Sequence, residues 1–241
     1  MRILGIDPGY ATIGFGLIEA ARGQTQMLNY GAISTPPGVP FPRRLEILFD
    51  DMTTLLKETL KHNFGVEVDG CVVIDFSHFE QLIDLLGGIE LELTGAEARF
   101  VNVKSGSRLT AGVHTLSGKE ALWFSRFRGT ATGDLARSSR QRIVLTTLLN
   151  EYKNKSLTEL LSLVDDILPM VTTDLTQKEI LGYAKDFFPM LATAEICSYR
   201  IPVDGSFSYA KISGMEVIVP NITKNADELH RILSEFPEGV G

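Results

Sequence analysis

The sequence predicts an α/β (α+β) fold, and three observations carry that prediction. Its 241 residues are 44% hydrophobic and 22% charged, which gives a soluble chain enough apolar content for a real core in one large domain or two small ones. Short apolar or alternating runs, RILGID (2–7), CVVIDF (71–76) and IELEL (89–93), read as strands. Between and after them, apolar residues recur at three- and four-residue spacing, the signature of amphipathic helices.

Taken in order, RILGID, ATIGFGLIEA (11–20) and MLNYGAIST (27–35) predict three strands joined by the turn residues Pro8-Gly9 and the polar loop RGQTQ. That is a β-meander. TPPGVPFP (35–42) is a proline-rich loop. Leu45, Leu48, Phe49, Met52, Leu55, Leu56 and Leu60 then predict a helix from Arg43 to about His62, stopped by Gly65. CVVIDF reads as a buried strand. SHFEQLIDLL (77–86) reads as a helix with Ser77 as N-cap and Glu80 completing a capping box. Gly87-Gly88 ends it, and IELEL alternates as a strand. No element is assigned between 94 and 117. GKEALWF (118–124) is a short helix, and Asp134 opens a long one to about Lys153. Helices follow near 156–168 and 176–191, then strands near 198–203 and 215–219 around an Asp204-Gly205 turn, and a last helix near 225–235.

A formal net charge of −7 argues against a generic nucleic-acid or anionic-membrane surface. Cys71 and Cys197 form neither a disulfide framework nor a zinc pattern, so each is expected to be a buried thiol. Four scattered histidines make no metal cluster. No apolar run approaches the ~18–20 residues of a membrane span, and MRILGIDPG is not a signal peptide, so the chain as written is expected to start in the cytoplasm.

Against this acidic background, five of 13 arginines fall in WFSRFRGTATGDLARSSRQR (123–142). Arg126 and Arg128 are two apart and share a side in an extended segment. Asp134, Arg137 and Gln141 share one helical face. Leu135, Ile143, Val144, Leu145, Leu148 and Leu149 are expected to supply the core contacts opposite. Clustered guanidinium groups repel one another, and an anion relieves that repulsion; their forks suit phosphate oxygens, and a helix N-terminus adds partial positive charge. The pattern predicts a phosphate or pyrophosphate site or, equally, a solvated helix start with surface ion pairs.

Asp7, at the end of the first strand before Pro8-Gly9, is either a metal-binding aspartate or a turn aspartate. Glu67 is a possible second carboxylate. GVHTLSGKE fails the P-loop pattern, GFG lacks a third glycine, and no GxSxG occurs.

Residues 1 to about 52 resemble the start of RuvC-type Holliday-junction resolvases, through MRILGIDPGYATIGFGLIEA, LNYGAIST and FPRRLEILFDDM. The resemblance implies the start of an RNase H-like fold, with Asp7 helping to hold catalytic Mg²⁺ for cleavage of a DNA junction. From about residue 54 the chain resembles the LytR–CpsA–Psr family of cell-envelope proteins, through HNFGVEVDGCVVIDFSHFEQLIDLLGGIELELT, LSGKEALWFSRFR, GDLARSSRQRIVLTTLL and RIPVDGSFSYAKISGMEVIVP. That resemblance implies a mixed sheet flanked by helices. The implied activity is phosphotransfer of a glycopolymer from a polyprenyl-phosphate or pyrophosphate lipid to peptidoglycan. It places Arg126, Arg128, Arg137, Arg140 and Gln141 on the lipid pyrophosphate. Asp134 and Arg137 would be catalytic, with Asp134 orienting Arg137 or assisting the acceptor hydroxyl. It implies Mg²⁺ as well, held in the family by aspartates of an Arg-Ser-Asp type motif that this sequence does not contain, and a location at the cell envelope. The chain therefore reads as two segments, 1–53 and 54–241, joined inside one helix.

Overall fold

The structure, a computed structural model, describes residues 2–7, 12–21, 24–129, 134–153, 155–191, 193, 195–212 and 215–235. It divides into two compact units, Met1–Asp69 with Arg200–Gly241, and Gly70–Tyr199.

In the first unit, β1 (Arg2–Asp7), β2 (Thr12–Ala21) and β3 (Gln24–Ser34) form the predicted antiparallel meander in the order β1-β2-β3. Asp7 pairs in register with Gly14 at the end of β1. The expected Pro8-Gly9 turn lies outside the described residues. Helix α1 runs from Phe41 to Phe64. It starts two residues before the predicted Arg43, because Pro42 sits in the first turn, where no N–H is needed. The predicted stop holds: Gly65 adopts φ 67°, and its N–H reaches Lys61 O. The helix is continuous through residue 53, the expected segment boundary. Ile33 of β3 and Leu48 of α1 are buried together, with Met52 against them.

The same unit contains β8 (Phe207–Ile212), β9 (Met215–Pro220) and α8 (Ile222–Glu235). The strand expected at 198–203 is absent. Val203 gives its N–H to the Asn225 side chain at 2.9 Å, and Pro202 has none to give. Asn225 is fully buried, yet satisfied: its oxygen also accepts Ser206 Oγ, and its amide donates to Asn221 O and Ser206 O. The His230 ring of α8 hydrogen-bonds Phe64 O at the end of α1, at 2.6 Å.

The second unit opens with β4, which is only Val72–Val73, paired with β7 (Thr172–Thr173). Both valines are exposed, so the buried strand expected at 71–76 is corrected. Its neighbours are used otherwise: Cys71 N–H bonds the Asp174 carboxylate at 2.7 Å, and Asp75 caps the next helix. That helix, α2 (Phe76–Leu85), has Asp75 rather than Ser77 as N-cap, with the Asp75 carboxylate accepting His78 N–H at 2.8 Å. The cysteine expectation is also corrected: Cys71 is half-buried and Cys197 exposed.

Strand β5 (Ile89–Leu93) alternates buried and exposed, as its sequence requires. Two elements occupy the unassigned stretch: α3 (Gly95–Ser105), with a Thr94–Glu97 capping box, and β6 (Gly112–Leu116), antiparallel to β5. Helices α4 (Gly118–Arg126), α5 (Asp134–Tyr152), α6 (Leu157–Ile167) and α7 (Gln177–Leu191) follow close to prediction. Helices alternate with short ladders, antiparallel among the described residues, which gives the expected α/β (α+β) architecture of strands flanked by helices. The core is built from Ile83, Ile89, Leu93, Val101, Leu116 and Phe124, with Val144 from α5. Ile143 and Leu145 are exposed, correcting the expectation that both are core contacts.

Candidate anion-binding site

The site begins with the close approach of α4 to α2. Ser117 and Glu120 form a capping box at the start of α4, and Gly118 donates its N–H to Asp84 Oδ1 at 2.7 Å. A Cβ at Gly118 would stand 2.0 Å from the Glu80 carbonyl oxygen, so only glycine fits there. Helix α4 ends at Arg126. Phe127 then turns extended, with φ −65° and ψ 129°. Its ring is buried, against Phe100 at 5.0 Å between centroids, while Arg126 is half-buried and Arg128 exposed. The extended segment expected to carry both arginines is therefore corrected: Arg126 closes the helix, and the extended backbone begins at Phe127.

Helix α5 carries the second half. The Asp134, Arg137 and Gln141 backbone positions share a helical face, with Arg137 half-buried and Gln141 exposed. The side chains of Asp134 and Asp7 lie outside the described residues.

Arg140 departs from expectation. It is not presented to an anion: its Nε donates to Glu97 Oε1 at 2.6 Å, and its Nη1 donates to Phe127 O at 3.2 Å and Ala136 O at 3.1 Å. Its guanidinium also lies 4.7 Å over the Phe127 ring. Both partners of the ion pair are buried. The bond to Phe127 O ties the Arg126-Phe127-Arg128 segment to the first turns of α5. Burial opposes ionisation of Glu97, but hydrogen bonds from Thr94 and Arg140 outweigh it and hold the carboxyl below the usual range. Glu97 is a residue that sequence reasoning missed; the Thr94-x-x-Glu97 cap is the signal that would have exposed it. Arg142 is held by Ser138 and Ser139, each at 3.0 Å.

Two aromatic rings stack on Arg126. Its guanidinium carbon is 4.5 Å from the Phe76 ring centre and 4.7 Å from that of Trp123. Farther along α5, Leu145, Leu148, Leu149 and Tyr152 join Leu82, Leu86, Leu160 and Leu163 around an apolar cavity of about 180 Å³.

Among the described residues, no group of three or more His, Cys, Asp or Glu could hold a metal ion. Glu67, the possible second carboxylate, is exposed and paired with Lys61 at 2.5 Å. No chemical step is assigned to a metal ion. Among the described residues, no helix is long and apolar enough to cross a membrane.

The chemistry available is thus anion recognition by guanidinium groups beside a helix N-terminus. Residues 3–68 match the crossover junction endodeoxyribonuclease RuvC family. The RuvC of Brevibacillus brevis is 43% identical over 67 residues, 28% of this chain and 40% of that protein. The regulatory protein MsrR of Staphylococcus aureus is 29% identical over 156 residues, 64% of this chain and 46% of that protein. The chain spans less than half the length of either of these curated relatives. YwtF (TagT) of Bacillus subtilis, solved with bound octaprenyl pyrophosphate lipid, superimposes with a TM-score of 0.54 at 17% identity, covering 92% of this chain and 84% of that one. The LytR_cpsA_psr family pattern matches residues 52–231, three quarters of the sequence and the whole of the arginine-bearing unit, and the chain belongs to that family.

Proposed function

We propose that Arg126, Arg128, Arg137 and Gln141 bind the pyrophosphate of a polyprenyl-linked glycopolymer, and that the site serves its transfer to peptidoglycan at the cell envelope. One observation carries this reading. The Arg140–Phe127 hydrogen bond ties the RFR segment to α5, the helix that carries Arg137 and Gln141, and this supports a shared anion site near the start of that helix. The apolar cavity supports it. Its α5 wall begins about 12 Å beyond Arg137, at 1.5 Å per residue, so one helix offers a charged end to a headgroup and an apolar end to a prenyl chain. The resemblance to a structure solved with octaprenyl pyrophosphate agrees. In this reading the arginines neutralise the pyrophosphate and stabilise charge on the leaving group. Asp134 orients Arg137 or assists the acceptor hydroxyl.

Titration of the chain with a polyprenyl phosphate tests the proposal. Arg137→Ala is expected to weaken binding by about ten- to a hundredfold, the worth of a charge-assisted hydrogen bond. Equal affinity in the two proteins would remove Arg137 from the site. The RuvC match over 3–68 supports a second reading, a Mg²⁺-dependent junction nuclease using Asp7. It predicts cleavage of a four-way DNA junction that disappears in Asp7→Asn.

A further inference from the structure

We infer that Phe76 is a positioning residue for the anion site. Together with Trp123 it holds the Arg126 guanidinium by stacking, so that the N–H rim of Arg126 is presented to phosphate. This rests on the reading of the arginine face as a pyrophosphate site.

Arg126 and Arg140 differ in how they are held. Arg140 is gripped by the Glu97 carboxylate, which neutralises its charge and accepts its Nε–H, while the Phe127 and Ala136 carbonyls accept from its Nη1. Arg126 is held through its flat surface, 4.5 Å from the Phe76 ring centre and 4.7 Å from that of Trp123. A guanidinium is planar and weakly hydrated, so it stacks well, and its five N–H donors lie in its plane. Contact with ring faces therefore restricts the side chain without neutralising its charge or occupying its donors. That is the arrangement an anion site needs, because an arginine already paired with a carboxylate has less to offer a phosphate.

The Trp123 ring is fixed from behind. Trp123 meets Phe100 edge-on at 6.2 Å, with Lys104 Nζ 5.5 Å over its ring. Phe76 is the first residue of α2, and the Asp75 cap sets that end of the helix. Phe76 is nonetheless 58% exposed. Core burial does not account for an aromatic ring at this position, whereas its seat on Arg126 does. The exposure also makes the residue open to substitution, since replacing it removes little buried surface.

The test is calorimetric titration of the full chain with inorganic pyrophosphate at fixed ionic strength, in wild type, Phe76→Leu, Phe76→Tyr, Arg126→Ala, Arg137→Ala and the Phe76→Leu/Arg126→Ala pair. Leucine keeps an apolar side chain but removes the π face. Phe76→Leu is expected to weaken binding by about three- to tenfold, while Phe76→Tyr stays within about twofold. The thermal midpoints of both should stay within ~2 °C of wild type. In the Arg126→Ala background, Phe76→Leu should add nothing, because its effect passes through that arginine. If Phe76→Leu binds like wild type while Arg126→Ala is weakened, or if it weakens binding equally in both backgrounds, the positioning role is overturned and the anion site stands. If wild type does not bind, or neither arginine variant changes affinity, the anion-site reading fails and takes the inference with it.

Discussion

Arg140→Met is expected to destabilise the protein by about 3–5 kcal/mol, the cost of leaving a buried carboxylate without its cation. Glu97 and Arg140 are both buried, and the same guanidinium also holds the Phe127 and Ala136 carbonyls. Urea unfolding measures the loss. The double variant Arg140→Met/Glu97→Gln should recover about half of it, because glutamine keeps the Thr94 cap without burying a charge. The pH dependence has a definite sign. Glu97 sits below its ordinary range in the folded protein, so its contribution is complete above the unfolded carboxylate range and is lost as pH falls through the folded value. In Arg140→Met the carboxylate has lost its cation and protonates more readily, so the stability gap to wild type should narrow between pH 7 and pH 4. A gap that stays constant would mean that the pair is not the source of the stability.

The second large effect is expected at Gly118. An added methyl would stand 2.0 Å from the Glu80 carbonyl oxygen, with the carbonyl carbon at 2.6 Å and Cα at 2.7 Å behind it. These are backbone atoms within α2, and they cannot swing aside as a side chain could. Gly118→Ala is expected to cost about 3 kcal/mol by forcing α4 away from α2, a fall in thermal midpoint of about 6–12 °C for a chain of this size. The Gly118 N–H bond to Asp84 would stretch with it. Because Arg126 and Phe76 sit on these same two helices, pyrophosphate affinity should fall as well. A thermal midpoint within 2 °C of wild type would show that the helices give more readily than the geometry implies.

Where local rules govern, the sequence was legible. The meander, Gly65 at the end of α1 and the burial alternation of IELEL depend on patterns nearby in sequence, and each forms as read. Helical spacing also put Arg137 and Gln141 on one face of α5. The failures share a cause. Val72-Val73 looked buried, and 198–203 looked like a strand, but backbone groups there bond to the distant side chains Asp174 and Asn225. Propensity cannot register a side-chain partner 22 or 103 residues away.

The arginine cluster divides along the same line. Five guanidinium groups within 17 positions, and the spacing that puts Arg137 and Gln141 on one helical face, belong to the sequence by itself. How each one is held was decided only in three dimensions. Arg140 is neutralised by Glu97, 43 residues before it, Arg142 is tied to its own helix, and Arg126 is seated on two rings, one of them from α2. Spacing along a helix sets the direction of a side chain, but whether it meets a carboxylate, a carbonyl or an aromatic face depends on which other elements pack beside it.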